Sequence, residues 1–110
     1  MTESKLQADI IAALQEHPLV AFVRSNTVGG GKLAKGGYIT FGQKYDLDIY
    51  GMTRTGEYFE IEVKLEGSEK ENAERVEKQQ ERVVFIRNNL GLAGFATSPM
   101  QAIDIIEERR

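Results

Sequence analysis

The sequence predicts a mixed α/β fold in a single domain, in the order helix, three strands, helix, strand, helix. Three observations predict it. Apolar residues recur at three- and four-residue spacing in two separate stretches, the repeat of helices that dock by one face. Between those stretches Phe59, Ile61, Val63 and Leu65 alternate with Tyr58, Glu60, Glu62 and Lys64, the two-residue repeat of a strand. A length of 110 residues suits one core and is short for two.

The first helix is capped by Thr2 or Ser4 and runs to about Gln15; Ser4 with Gln7 has capping-box spacing. Its buried stripe is Leu6, Ile10 and Leu14. Glu3, seven residues before Ile10, projects within about 20° of that stripe. It either points an acid toward the core side or complements the helix dipole at the first turn. After Pro18, Leu19 to Arg24 is β-branched and aromatic enough for a strand. Val28 to Gly37 holds five glycines and two lysines and reads as a mobile loop. It is not a phosphate-binding P-loop, which needs glycine where Asn26 stands and serine or threonine where Leu33 stands. Tyr38 to Phe41 can add a short edge strand to the three main ones.

Tyr45 to Gly51 and Glu57 to Leu65 read as two strands around a turn. A second helix fits Ser68 to Leu90, with Ser68 and Glu71 as capping box, a stripe of Ala73, Val76, Val83, Ile86 and Leu90, and Gly91 as its stop. Leu92 to Thr97 is a short buried strand, and Ser98-Pro99 opens a last helix through Ile103 and Ile106. Glu107 to Arg110 is a fraying end.

Composition narrows the function. With no cysteine there is neither a disulfide scaffold nor a thiolate metal site, which suits a reducing cytoplasm. No apolar run approaches the length of a membrane span, and Met1 to Lys5 shows no secretory pattern, so no membrane partner is expected. The net charge of −3 argues against coating DNA by bulk electrostatics. The charge is nevertheless segregated. From His17 to Tyr45 four cations, Arg24, Lys32, Lys35 and Lys44, stand without an acid, whereas from Gly56 to Glu81 nine acids outnumber four cations. The first region can meet phosphate, and Lys32 and Lys35 are expected to touch it; the second reads as a solvated helix face.

The chemistry concentrates on the two central strands. A three-residue loop Arg54-Thr55-Gly56, with Gly56 left-handed, pairs Thr53 with Glu57. That register sets Asp48 opposite Glu62 and Asp46 opposite Lys64. Facing carboxylates destabilise a ladder unless a cation compensates them, and oxygen donors without Cys or clustered His suit Mg²⁺ or Mn²⁺. His17 stands alone near a helix end and reads as structural. Lys64, on the face of Glu62, either reaches a water or phosphate oxygen or pairs with Asp46.

These residues resemble the PD-(D/E)xK nuclease superfamily and, within it, the stand-alone virus-type VRR-NUC domain. The similarity spans nearly the whole chain. It is carried by Asp48-Ile49-Tyr50-Gly51-Met52, by Glu60-Ile61-Glu62-Val63-Lys64 fourteen residues on, by Glu3-Ser4-Lys5-Leu6-Gln7, and by a glutamine-bearing helix ending in Asn88-Asn89-Leu90-Gly91. Leu47 stands where the family usually has Pro or Ser, with Asp46 one residue earlier; Asp48 is taken as the ligand on spacing.

The resemblance implies a restriction-endonuclease-like αβββαβ core and metal-dependent hydrolysis of DNA phosphodiesters. Asp48, Glu62 and the Val63 carbonyl would hold Mg²⁺ or Mn²⁺, Lys64 would position the attacking water, and Glu3 would extend the metal shell. Gln79 or Gln80 would complete the site; ungapped alignment favours Gln79, while helical angles leave both open. The implied substrate is branched DNA, cut as four-way junctions by a homodimer in a prokaryotic or phage-infected cell. Flap- or nick-directed cleavage, a non-catalytic DNA-binding module and a dimeric structural protein are the alternatives.

Overall fold

The structure, a computed structural model, describes residues 1–26, 29–32, 38–41, 46–67 and 72–108, with backbone alone at 29–32 and 38–41. Its elements are α1 (Glu3–Glu16), β1 (Val20–Ser25), β2 (Gly29–Lys32), β3 (Tyr38–Phe41), β4 (Ile49–Thr53), β5 (Tyr58–Val63), α2 (Ala73–Asn88), β6 (Leu92–Ala96) and α3 (Pro99–Glu107). The expected mixed α/β architecture is present. A four-stranded sheet of order β1-β4-β5-β6 carries helices on both faces, its first three strands antiparallel and β6 parallel to β5. The β5-α2-β6 crossover is what a parallel pair requires, because no tight turn can join parallel neighbours.

Strand alternation sorts the layers. Phe59, Ile61 and Val63 point to one face, where Leu6, Ile10 and Leu14 of α1 and Ala102 and Ile106 of α3 close the main core. Each such aliphatic side chain contributes about 1.5–3 kcal/mol on burial, so the expected stripe of α1 alone suffices to dock it. Glu60 and Glu62 point to the opposite face, where α2 covers them together with a small cluster of Leu47, Val83, Ile86 and Ala93. No helix among the described residues is long and apolar enough to cross a membrane.

The ends follow local chemistry. Thr2 caps α1 by accepting from the Lys5 amide at 3.1 Å, and Ser98 caps α3 by accepting from Gln101 at 3.2 Å. The central hairpin has the expected three-residue loop: the Thr53 amide donates to the Glu57 carbonyl, and Gly56 takes φ +87°, a conformation open to glycine and strained for other residues. The ladder joins Ile49 to Ile61, Tyr50 to Glu60 and Gly51 to Phe59, the register read from the sequence.

Four expectations need correction. Val28 to Gly37 is not all loop, because Gly29–Lys32 pairs with Tyr38–Phe41 as a separate hairpin; the edge strand has its partner there rather than in the main sheet. The second helix starts at Ala73, five residues later than expected, where the Asn72 side chain accepts from the Arg75 amide. The Ser68 and Glu71 box lies outside the described residues. The central strands are also shorter than expected, spanning Ile49–Thr53 and Tyr58–Val63. Finally, Ala73 and Leu90 are exposed: of the expected stripe α2 buries Ile86 and half-buries Val76 and Val83, and it adds Gln79. Leu90, with φ +70°, supplies the left-handed stop assigned to Gly91. Gly91 is needed for space: a Cβ there would lie 2.5 Å from Cγ2 of Ile86 and 3.0 Å from the Tyr58 carbonyl oxygen.

Candidate metal centre

Extending the β4–β5 ladder by one step brings Asp48 opposite Glu62, and two reciprocal bonds lock them. The Asp48 amide donates to Oε1 of Glu62 at 3.2 Å, and the Val63 amide donates to Oδ2 of Asp48 at 2.9 Å. Behind them the Asp48 carbonyl accepts from the Asn26 amide at 2.8 Å, tying this corner to the end of β1. Val63 thus enters the site through its N–H.

Gln79 on α2 closes the other side. Its Nε2 donates to Oε2 of Glu62 at 2.9 Å, and Lys64 Nζ stands 3.7 Å from the same oxygen. Gln79 is only 4% exposed, and its Oε1 has no hydrogen-bond partner among the described residues. Gln80 is exposed, so the structure brings Gln79 and not Gln80 to the carboxylates. Burial, and then the facing Asp48 carboxylate, push the Glu62 carboxyl up to about 8, against the opposing pull of the Lys64 ammonium.

The geometry fits a hard cation. Two facing carboxylates, with an unpartnered oxygen on the neighbouring Gln79 amide, are an oxygen donor set of the kind Mg²⁺ and Mn²⁺ prefer, with the Lys64 ammonium already beside Glu62. No group of three or more His, Cys, Asp or Glu with metal-binding geometry occurs among the described residues. Glu3 sits in the exposed first turn of α1 and makes no hydrogen bond or ion pair with Asp48 or Glu62. It lies one turn from Gln7, whose side chain donates to Ser25 Oγ at 2.9 Å at this end of β1. His17 lies elsewhere: its Nδ1 accepts from the Leu19 amide and its Nε2 faces Glu107, in keeping with the structural role read for it.

Beside this corner is a second carboxylate cluster that the sequence reading did not find. Glu60 is fully buried and clamped by Arg82, with Nε at 3.0 Å from Oε1 and Nη2 at 2.7 Å from Oε2. Arg82 Nη2 also lies 3.4 Å from Asp46. The Leu47 amide donates to Oε1 of Glu60 at 3.1 Å, and the Tyr58 hydroxyl donates to Oε2. The hydrogen bond to Glu60 raises the Arg82 pKa, while burial, followed by Glu60, raises that of Tyr58. Asp46, one candidate partner for Lys64, is therefore engaged by Arg82. Glu60 and Glu62, two acids of the acidic segment, lie on the strand read for them and are buried there.

The signal for both findings was present in α2. Gln79, Arg82, Val83 and Ile86 follow the i, i+3, i+4, i+7 repeat, which would have included two polar residues in the buried face and separated Gln79 from Gln80.

Neither a family model, a curated protein nor a solved structure matches the chain. What the site can do rests on its own residues.

Of the basic residues assigned to phosphate, Arg24 is exposed on β1. Lys32 is on the backbone of β2 with its side chain outside the description, and Lys35 and Lys44 lie outside the described residues.

Proposed function

We propose that the protein is a metal-dependent DNA endonuclease that hydrolyses phosphodiester bonds in branched DNA. The observation that carries this reading is the Asp48–Glu62 pair, interlocked through two backbone amides beside the unpartnered Gln79 oxygen. Asp48, Glu62 and the Gln79 oxygen supply donors for Mg²⁺ or Mn²⁺, with the Val63 carbonyl as the further ligand that the family resemblance implies. Bound there, such an ion supplies Lewis acidity to a phosphoryl oxygen and lowers the pKa of a water.

The chain's own residues do the rest. Glu62 must be deprotonated to bind a cation, and Gln79 fixes the direction in which its carboxylate faces. Lys64, held 3.7 Å from Glu62 and mostly shielded from solvent, is placed to orient a water and to stabilise negative charge growing on phosphate. Asp48, one residue before β4, is held by the Val63 amide at the end of β5. A homodimer in the cytoplasm, its two sites addressing symmetric strands, completes this reading.

The test is cleavage of labelled four-way junction, flap and linear duplex DNA with Mg²⁺, Mn²⁺ or EDTA, comparing wild type with Lys64→Ala. Branched substrates are cut by the wild type with metal, and cutting is lost with EDTA and in the variant. A folded wild type that binds Mn²⁺ and DNA but cuts nothing would instead be a binding module.

A further inference from the structure

The sheet face that holds the site continues as an orderly surface away from it. Across β1, β4 and β5, Phe22 pairs with Met52 and Met52 with Tyr58, making one row of large apolar side chains. Met52 and Tyr58 are 38% and 40% exposed, and Phe22 is half-buried. The next row toward the site is Arg24, Tyr50 and Glu60, and the one after it holds Asp48 and Glu62. Successive rows are two residues apart, about 7 Å along a strand. Helix α2 packs over β5 and β6, and among the described residues the β1–β4 half of the face keeps Arg24 and Met52 exposed and Phe22 and Tyr50 half-buried.

That half carries aromatic rings and a cation. Phe22 and Tyr50 meet edge to face with centroids 6.4 Å apart, and the Arg24 guanidinium lies 5.2 Å from the Phe22 ring centre. Arg24 donates to the Val23 carbonyl and pairs with no carboxylate among the described residues, although Asp46 and Glu60 lie on the same side of the sheet. Arg24 is exposed.

We propose that this face stacks unpaired nucleotides, with bases on Phe22, Tyr50 and Met52 and the adjoining phosphate at Arg24. The order of chemistry across the rows is that of a nucleotide strand entering the site: apolar rings, then a cation, then carboxylates that would hold a metal at the scissile phosphate. A base in a duplex has both faces occupied by its neighbours, so stacking on protein rings selects displaced or single-stranded nucleotides. The inference rests on the nuclease reading for its place beside the scissile bond, and it names what that site recognises in branched DNA.

Anisotropy of a labelled single-stranded oligothymidine and of a blunt duplex, with EDTA present so that nothing is cut, tests the surface separately from cleavage. Wild type binds the single strand more tightly. Tyr50→Leu and Phe22→Leu, both checked for native circular dichroism and melting, each weaken that binding by about five- to a hundredfold, whereas Tyr50→Phe keeps it. Arg24→Gln flattens the salt dependence by roughly one phosphate contact. Equal affinity of the leucine variants and wild type, a preference for duplex, or no DNA binding by wild type would each overturn the proposal. So would leucine variants that change the sedimentation mass without changing DNA affinity, which would make the face a contact between copies of the chain. Normal cleavage of branched DNA by the leucine variants leaves the nuclease reading standing and removes the stacking surface. Ring-dependent binding by a wild type that cuts nothing does the reverse.

Discussion

Two carboxylate clusters sit side by side on one sheet face, and α2 reaches both with side chains three residues apart. Glu60, with Asp46 nearby, receives the Arg82 guanidinium in a two-bond clamp. Glu62, facing Asp48, receives the neutral Gln79 amide and a lysine at 3.7 Å. Each cluster also holds a backbone amide of the same segment, Leu47 on Glu60 and Asp48 on Glu62. The geometry is nearly repeated; the hold of the cation on its carboxylate is not. A guanidinium closes its cluster through a two-bond clamp on Glu60, whereas Glu62 takes one hydrogen bond from a neutral amide and has its ammonium at 3.7 Å, beyond hydrogen-bond reach. The first cluster frames the segment that carries Asp48, and the second is left able to take a cation.

The sharpest way to break this contrast is to remove donors from each cluster and look for metal. Asp48→Asn and Glu62→Gln abolish Mn²⁺ binding in calorimetry and lower cleavage by about 10²- to 10³-fold or more. Wild-type Mn²⁺ affinity surviving in both would dissolve the distinction between the clusters.

Arg82→Met addresses the closed cluster. It strands the buried Glu60 charge and should cost about 3–5 kcal/mol in urea unfolding. The double change Glu60→Leu with Arg82→Met recovers much of that loss. If Arg82→Met were nearly neutral on its own, the clamp would not be what holds the segment.

Acidity separates the clusters further. Because the folded Glu62 pKa is about 8 against 4.5 for the free side chain, the folded chain holds a proton that the unfolded chain has released across that interval. The metal-free protein therefore loses stability as pH rises from about 4.5 through about 8, and Glu62→Gln flattens that decline. Mn²⁺ affinity runs the other way, rising about tenfold per pH unit below about 8, since binding displaces one proton. An affinity independent of pH between 6 and 8 would contradict this.

The smallest expected effect on stability belongs to Gln79→Leu. It deletes one hydrogen bond together with an orphaned oxygen, so unfolding changes by about 1 kcal/mol, far less than for Arg82→Met. Mn²⁺ affinity nonetheless falls about 10- to 100-fold as the Glu62 carboxylate loses its orientation. A large loss of stability with metal binding intact would make Gln79 a packing residue.

Much of this was legible in the chain. A two-residue repeat and a glycine suited to the left-handed turn position determine the hairpin register, because side-chain direction in a strand and the closure of a short loop are local matters. That register alone sets Asp48 against Glu62. The order of helices and strands and the α1 stripe follow for the same reason. The polar side of α2 was not legible in this way: counting Ala73 and Leu90 as buried shifted the stripe away from Gln79 and Arg82, since apolar periodicity weighs no polar residue as a core residue. Strand β2, and with it the partner of β3, was missed because a glycine-rich strand carries no side-chain alternation.

The sequence by itself determined the central hairpin, its register and the facing acids. Tertiary structure decided which acids are sealed and which are left to a cation, and that Gln79 rather than Gln80 reaches them. Only the docking of α2 across β5 brings a clamping guanidinium to one carboxylate and an amide to the next.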